Sequence, residues 1–244
     1  MNKEKIVDFF KRISVQGRVQ KFKFVVDDEG VMTVITKPES PNFHVTAKLS
    51  GCTDFPAGTY GLNNVQDLIS MLSVMDDNSV VSLRNVNPYP VLSISDGDSN
   101  GLFNLADVRH IQNVEPQKYE PSYSFTLPLS KPFIDKYVKM RNALKTDSDN
   151  VAIFTVNNDV NIVINYSPNL PSNQFDMTFD VEHVESQIEN AVEFPSQIIK
   201  DIFIVNKSFD VGILKVSPEG LMAISYSTED IDIKYLILKQ SNNS

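Results

Sequence analysis

Residues 130–145, SKPFIDKYVKMRNALK, decide how the chain is read. Phe133, Tyr137, Met140 and Leu144 recur at the i, i+4, i+7, i+11 spacing of one buried helical face. Lys131, Lys139 and Lys145 project from the opposite side, with Lys136 at its margin and Arg141 nearer the apolar edge. Ser130 is placed to cap the helix, and Pro132 is tolerated in a first turn whose N–H groups lack intrahelical partners. The segment is therefore a helix with one greasy face and one cationic face. Taken alone it is also what a solvated surface helix looks like, so its surroundings have to decide.

Those surroundings are acidic. The chain has 244 residues and a net charge of −9, yet residues 1–26 hold seven bases against two acids and residues 131–145 hold five against one. Two helical regions are thus cationic on an otherwise negative body, a field that would matter if both faced one place. The length allows two modest domains, and a hydrophobic share of 41% suffices for real cores. The single cysteine, Cys52, rules out an intramolecular disulfide and fits a reducing compartment. The opening MNKEKIVDFFKRIS contains no signal-like apolar run, and no stretch has the length of a membrane span. A soluble, cytoplasmic protein is expected.

Outward from the decisive segment, the elements fall into two similar series. Residues 3–13 repeat Ile6, Phe9, Phe10 and Ile13 at helical spacing. Strands follow near 19–26 and 31–37 around the turn at Asp27–Gly30, then NFHVTAKLS at 42–50. A second helix carries Val65, Leu68, Ile69, Leu72 and Met75 on one face, and short strands come near 80–84, 90–95 and 101–105. Residues 108–122 lack a period, contain Pro116 and Pro121, and read as a linker. Beyond it come SYSFTLP, the basic helix, strands near 151–156 and 160–166, and QFDMTFDVE. The chain continues with residues 192–194, a helix holding Ile198, Ile199, Ile202 and Phe203, and strands near 209–216, 220–227 and 231–238. Helix, hairpin, strand, short strand, helix and three strands thus occur twice, about 130 residues apart. The fold class expected is α+β, with two duplicated domains that each pack two helices on antiparallel sheet.

Catalytic chemistry leaves no signature. His44, His110 and His183 have no Cys or His partner at metal-ligand spacing, and no nucleophile elbow, phosphate loop or dinucleotide fingerprint occurs. The one sharp local match is Asp96-x-Asp98-x-Asn100-Gly101 with Asp107 beyond, close to a calcium loop. Its flanks read as strands where that motif needs helices, and the same residue types suit a hairpin turn. No enzyme activity, cofactor or metal is expected.

In this element order the chain resembles the DNA polymerase sliding clamps, the proliferating cell nuclear antigen superfamily, and among them the clamps of T-even-type bacteriophages. LNNVQDLISMLSVMDDNSVVSL, residues 62–83, looks like the second helix and following strand of a phage clamp, and GLMAISYSTEDIDIKYLILKQ, residues 220–240, like a clamp's terminal hairpin. The resemblance implies a clamp domain at 1–107, an interdomain connector at 108–122 and a clamp domain at 123–244. It implies a homotrimeric ring whose helices line a hole around double-stranded DNA, held without reading its sequence. The DNA-facing side chains implied are Lys3, Lys5, Lys11, Arg12, Lys131, Lys136, Lys139, Arg141, Lys145 and Lys200. A peptide pocket beneath the connector, for the tails of a replicative polymerase and a clamp loader, would involve Phe43, His44, Val45, Val108, Ile111, Tyr235, Leu236 and Leu238. Subunits would join through Leu102, Phe103 and Leu105 of one copy and Phe175, Met177 and Phe179 of the next. Late-transcription factors are a further partner class implied for phage relatives.

Two other readings stay open on the residues alone. One is a β-rich structural or adaptor protein such as a virion component, which needs the repeat and no cationic wall. The other is a calcium-dependent or hydrolytic enzyme resting on the Asp96 loop.

Overall fold

The computed structural model describes all residues except 40–42, 87–88, 118–120, 145–148, 169–172 and 241–244, and the side chains at 85–89. Its contacts divide the chain into unit 1, Met1–Pro116 with Ser227–Ile233, and unit 2, Gln117–Tyr226 with Lys234–Ser244.

Unit 1 runs α1 Lys3–Ser14, β1 Phe22–Val26, β2 Met32–Thr36, β3 Phe43–Leu49, β4 Gly58–Leu62, α2 Val65–Ser73, β5 Val80–Val86, β6 Tyr89–Ser95 and β7 Asn100–Asn104. The first four strands lie in the order β4-β1-β2-β3, all antiparallel, and the last three form the meander β5-β6-β7. Asn2 caps α1 by accepting from the Glu4 N–H at 2.7 Å. The apolar stripe of α1 then meets the sheet, with the Phe10 ring 5.8 Å from Phe22 and 6.4 Å from Phe24. Beside it lies α2, whose Gln66 amide donates to Ser14 Oγ at 2.9 Å. The chain leaves the unit past Gly61, which pairs with Ala106. A Cβ at Gly61 would lie 2.6 Å from the Ala106 carbonyl oxygen, so glycine is what lets the segment just before the linker approach β4.

Unit 2 runs β8 Phe125–Ser130, α3 Lys131–Ala143, β9 Val151–Val156, β10 Asp159–Ile164, β11 Phe175–Asp180, β12 Val192–Phe194, α4 Ser196–Val205, β13 Val211–Val216, β14 Leu221–Ser227 and β15 Ile231–Leu238, the start of β15 belonging to unit 1. Here the order is β12-β9-β10-β11, again fourth, first, second, third along the chain. The duplication read from element order therefore extends to the pairing of strands, a Greek-key arrangement written twice. β13, β14 and β15 form the second meander, with β8 beyond β13. Phe203 of α4 packs edge-on against Phe133 at 5.9 Å and Tyr137 at 5.1 Å, both from α3. The buried stripe of α3 is shorter than its spacing predicts. Phe133, Ile134 and Tyr137 are buried, whereas Met140 and Leu144 are half-exposed near the helix end.

The Asp96 loop is a hairpin turn between β6 and β7. Asp96 Oδ1 accepts from the Asp98 and Ser99 N–H groups at 3.2 and 2.7 Å, and Oδ2 from Asp76 N–H at 3.4 Å. Asp107 instead receives the Arg109 guanidinium at 3.0 Å, which holds its carboxyl well below the usual range. The Asp96 carboxylate is thus committed to the turn and that of Asp107 to Arg109, and no metal-holding group occurs among the described residues.

Candidate functional site

The cations of α1 are mostly turned to structural use. Lys3 is 6% exposed, and its ammonium donates to the Met75 carbonyl at 2.7 Å and to Asp77 at 2.9 Å. It ties the helix start to the end of α2, so it corrects the expectation of a solvent-facing base. Arg12, 3% exposed, lies along its own helix and donates from Nε to Asp8 at 3.0 Å, one turn back. Lys5 is half-buried and paired with Asp230 at 3.0 Å. Of the four bases expected on this face, Lys11 alone is exposed.

On α3 the exposed side keeps its charge. Lys131, Lys136 and Lys139 are exposed; Lys131 reaches Asp210 at 2.8 Å, and the other two have no carboxylate partner among the described residues. Arg141 turns inward: its Nε donates to Ser196 Oγ at 2.7 Å, and its terminal nitrogen lies 3.5 Å from Asp149. Asp149 also accepts from the Gln197 N–H at 2.7 Å, so a carboxylate sits at the N-terminus of α4, where the helix dipole favours one. Tyr137, wholly buried, donates to the Ser196 carbonyl at 3.2 Å, and burial pushes its hydroxyl well above the ordinary value. Arg141 therefore fastens α3 to α4 and leaves the cationic face. Lys200 is half-buried and donates to Asn142 at 3.1 Å. Lys145 lies outside the described residues. α2 offers Asp67 and no base.

Two strand edges end their sheets. β7 is the last strand of its meander in unit 1, and β11 the last of the four-stranded sheet in unit 2. On β7, Leu102 is 63% exposed and Phe103 half-buried, while Leu105 just beyond is buried. On β11, Phe175 and Phe179 are half-buried and Met177 is buried. Phe179 meets Phe133 at 5.1 Å, so this edge rests on the same aromatic group that seats α3. Leu105 and Met177 therefore face their own cores rather than an edge surface.

The residues expected around a peptide pocket divide by strand alternation. Phe43 and Val45 point to the core of unit 1, and His44 between them is half-buried, with burial and the charge of Lys37 holding its imidazole below the ordinary value. Val108 is half-exposed in a short 3-10 turn, Val108–His110, which has no counterpart in the sequence reading, and Ile111 after it is buried. In unit 2, Tyr235 and Leu236 are buried, the Tyr235 hydroxyl accepting from the Asn206 amide at 2.8 Å, whereas Leu238 is 48% exposed. His44, Val108 and Leu238 are thus the members open to solvent.

Three solved structures share this architecture over nearly the whole chain. Proliferating cellular nuclear antigen from Entamoeba histolytica is 19% identical with a TM-score of 0.72, 96% of each chain being covered. In the PCNA2-PCNA3 complex from Sulfolobus tokodaii the values are 10% and 0.75, over 98% of this chain and 97% of that one. A. fulgidus PCNA, solved with the C-terminal region of FEN-1, gives 12% and 0.78, over 100% and 98%. No protein-family model and no curated protein matches the sequence. The chain has the PCNA clamp fold, with four helices over antiparallel sheets.

Proposed function

We propose that the chain is a DNA sliding clamp, a non-enzymatic processivity factor that encircles duplex DNA as a homotrimer and tethers a replicative polymerase. The carrying observation is the duplicated clamp fold, matched end to end to PCNA structures. Each unit also has a strand at the end of a sheet with one edge unpaired among the described residues, β7 in one and β11 in the other. Edges of that kind need covering, and head-to-tail pairing between copies covers them while closing a ring. DNA would be held by Lys11, Lys131, Lys136, Lys139 and Lys200 through phosphate contacts that carry no sequence information.

Partner tails would be accepted on unit 1 around His44 and Val108, the members of the pocket set that are open to solvent there. The finer assignment, a phage clamp of T-even type, is supported by the likeness of residues 62–83 to a phage clamp segment, and a loader, late-transcription factors and the host cytoplasm are what that likeness implies.

The test is topological. With a cognate loader and ATP, the protein should stay on a nicked circular duplex, leave when the circle is linearised, and lengthen polymerase products. Monomers at every concentration, or equal retention on linear and circular DNA, would defeat the proposal.

A further inference from the structure

We propose that unit 2 carries a docking groove for an extended segment of a partner protein that presents a lysine or arginine beside an apolar residue. The groove has a volume of about 790 Å³ and runs between β8 and residues 180–185. It is independent of the DNA-facing lysines and of the peptide-pocket residues named above, none of which lines it.

Its construction is specific. β8 ends its sheet, so one backbone edge of this strand faces the groove side rather than another strand. At the start of β8, the Ser124 carbonyl accepts from the Glu185 N–H at 2.8 Å, and the Ser124 hydroxyl donates to the Ser186 carbonyl. Those bonds pin the far wall, so the groove is preformed, which lowers the ordering cost of binding. Pro128 suits an edge strand, and having no N–H it limits how far an added strand could ladder along β8. Selectivity then falls to side chains.

Their chemistry points to one occupant. Asp180, Glu182 and Glu185 are exposed along the wall, against Lys215 as the one permanently charged base of the lining. The surplus of carboxylates repels nucleic acid and favours a cationic side chain. The chain supplies its own example, because the Lys215 ammonium rests 5.5 Å from the centroid of the Tyr123 ring in the same groove. Apolar surface lies just outside the lining, on the outward face of β13, where Ile213 is 40% and Val211 57% exposed, Ile213 lying opposite Pro128, which does line the groove. A strand-like segment alternating apolar and basic residues matches both features at once.

The probe is a fluorescein-labelled hexapeptide of alternating leucine and lysine, with a leucine–glutamine counterpart, titrated into the full chain and read by anisotropy. The lysine peptide should bind and the glutamine peptide should not. Glu182→Gln with Glu185→Gln should weaken binding by about fivefold or more, whereas Asp28→Asn with Glu229→Gln, an equal charge change in unit 1, should leave it unaltered. Amide shifts on binding should centre on Tyr123, Thr126 and Lys215. Equal weakening by both double variants, no binding at millimolar peptide, or shifts centred elsewhere would overturn the proposal. So would self-association of the free protein that the Glu182/Glu185 variant abolishes, which would make a second copy the occupant. None of these outcomes bears on DNA retention, so the two proposals fail separately.

Discussion

Arg141 on α3 donates from Nε to the hydroxyl of Ser196, the first residue of α4, at 2.7 Å. The same hydroxyl donates to Asp149 Oδ1 at 2.7 Å, so one oxygen couples a guanidinium and a carboxylate otherwise 3.5 Å apart. Ser196→Ala should therefore cost about 1–3 kcal/mol, because a part-buried charged donor loses its acceptor. The midpoint of thermal unfolding should fall by a few degrees while the helices on either side keep their length.

Charge changes on the two helices should give opposite phenotypes. Lys136→Glu with Lys139→Glu should weaken DNA retention and lower its salt slope by about one for each phosphate that is no longer neutralised. Lys3→Met should do neither. Its loss leaves the Met75 carbonyl and Asp77 without their ammonium, and chemical denaturation should show about 1.5–3 kcal/mol of destabilisation. A Lys3→Met variant of unchanged stability that fails to hold DNA would refute this division of labour.

Leu102 stands 63% exposed on the terminal strand β7. Leu102→Lys should leave circular dichroism and the melting profile intact, since the side chain has no core to lose. In the proposed trimer this edge is covered by the next copy, so sedimentation of the variant should move towards monomer, because lysine on an edge strand disfavours pairing.

His44 sets a pH dependence. Burial, then the charge of Lys37, disfavours its protonated form in the folded chain, so the unfolded chain binds more protons below the ordinary imidazole value near 6.5. The stabilising contribution is whole above that value and is lost as pH falls through the depressed one. Ring resonances should titrate with a midpoint below 6.5, and His44→Gln should flatten the decline in stability from about pH 7 to 5. A midpoint above the ordinary imidazole value would contradict it.

Gly61→Ala would put a Cβ 2.6 Å from the Ala106 oxygen and 2.8 Å from Ile111 Cδ1. Overpacking of this kind costs about 1–3 kcal/mol. The bond from Ala106 N–H to the Gly61 carbonyl, now 2.8 Å, should weaken, and hydrogen exchange at that amide should rise first.

Local signals made the helices legible. The spacing of Ile6, Phe9, Phe10 and Ile13 locates α1, and Ser130 caps α3 by accepting from Phe133 N–H at 3.4 Å as its sequence position predicts. Periodicity could not say what a charge would meet. Lys3 stands in line with Ile6, Phe10 and Ile13, so its burial follows from the spacing, but its partner Asp77, 74 residues away, does not, nor does the way Arg12 lies along Asp8. The Arg141–Ser196–Asp149 cluster was hidden for the same reason, its acid lying in an irregular segment with no pattern to mark it. The turn at Val108–His110 is too short to have a period, although Asp107 at its start was a readable cap.

The two units share one strand order and differ in what their helices do with charge. α1 commits Lys3, Lys5 and Arg12 to nearby acids, while α3 leaves Lys136 and Lys139 uncommitted. In the trimeric ring proposed above, each α3 would then grip more firmly than each α1, whose one exposed base of the four is Lys11. A duplex threaded through the ring would be steadied at three places instead of sleeved evenly, free to lean and pivot between them as it passes.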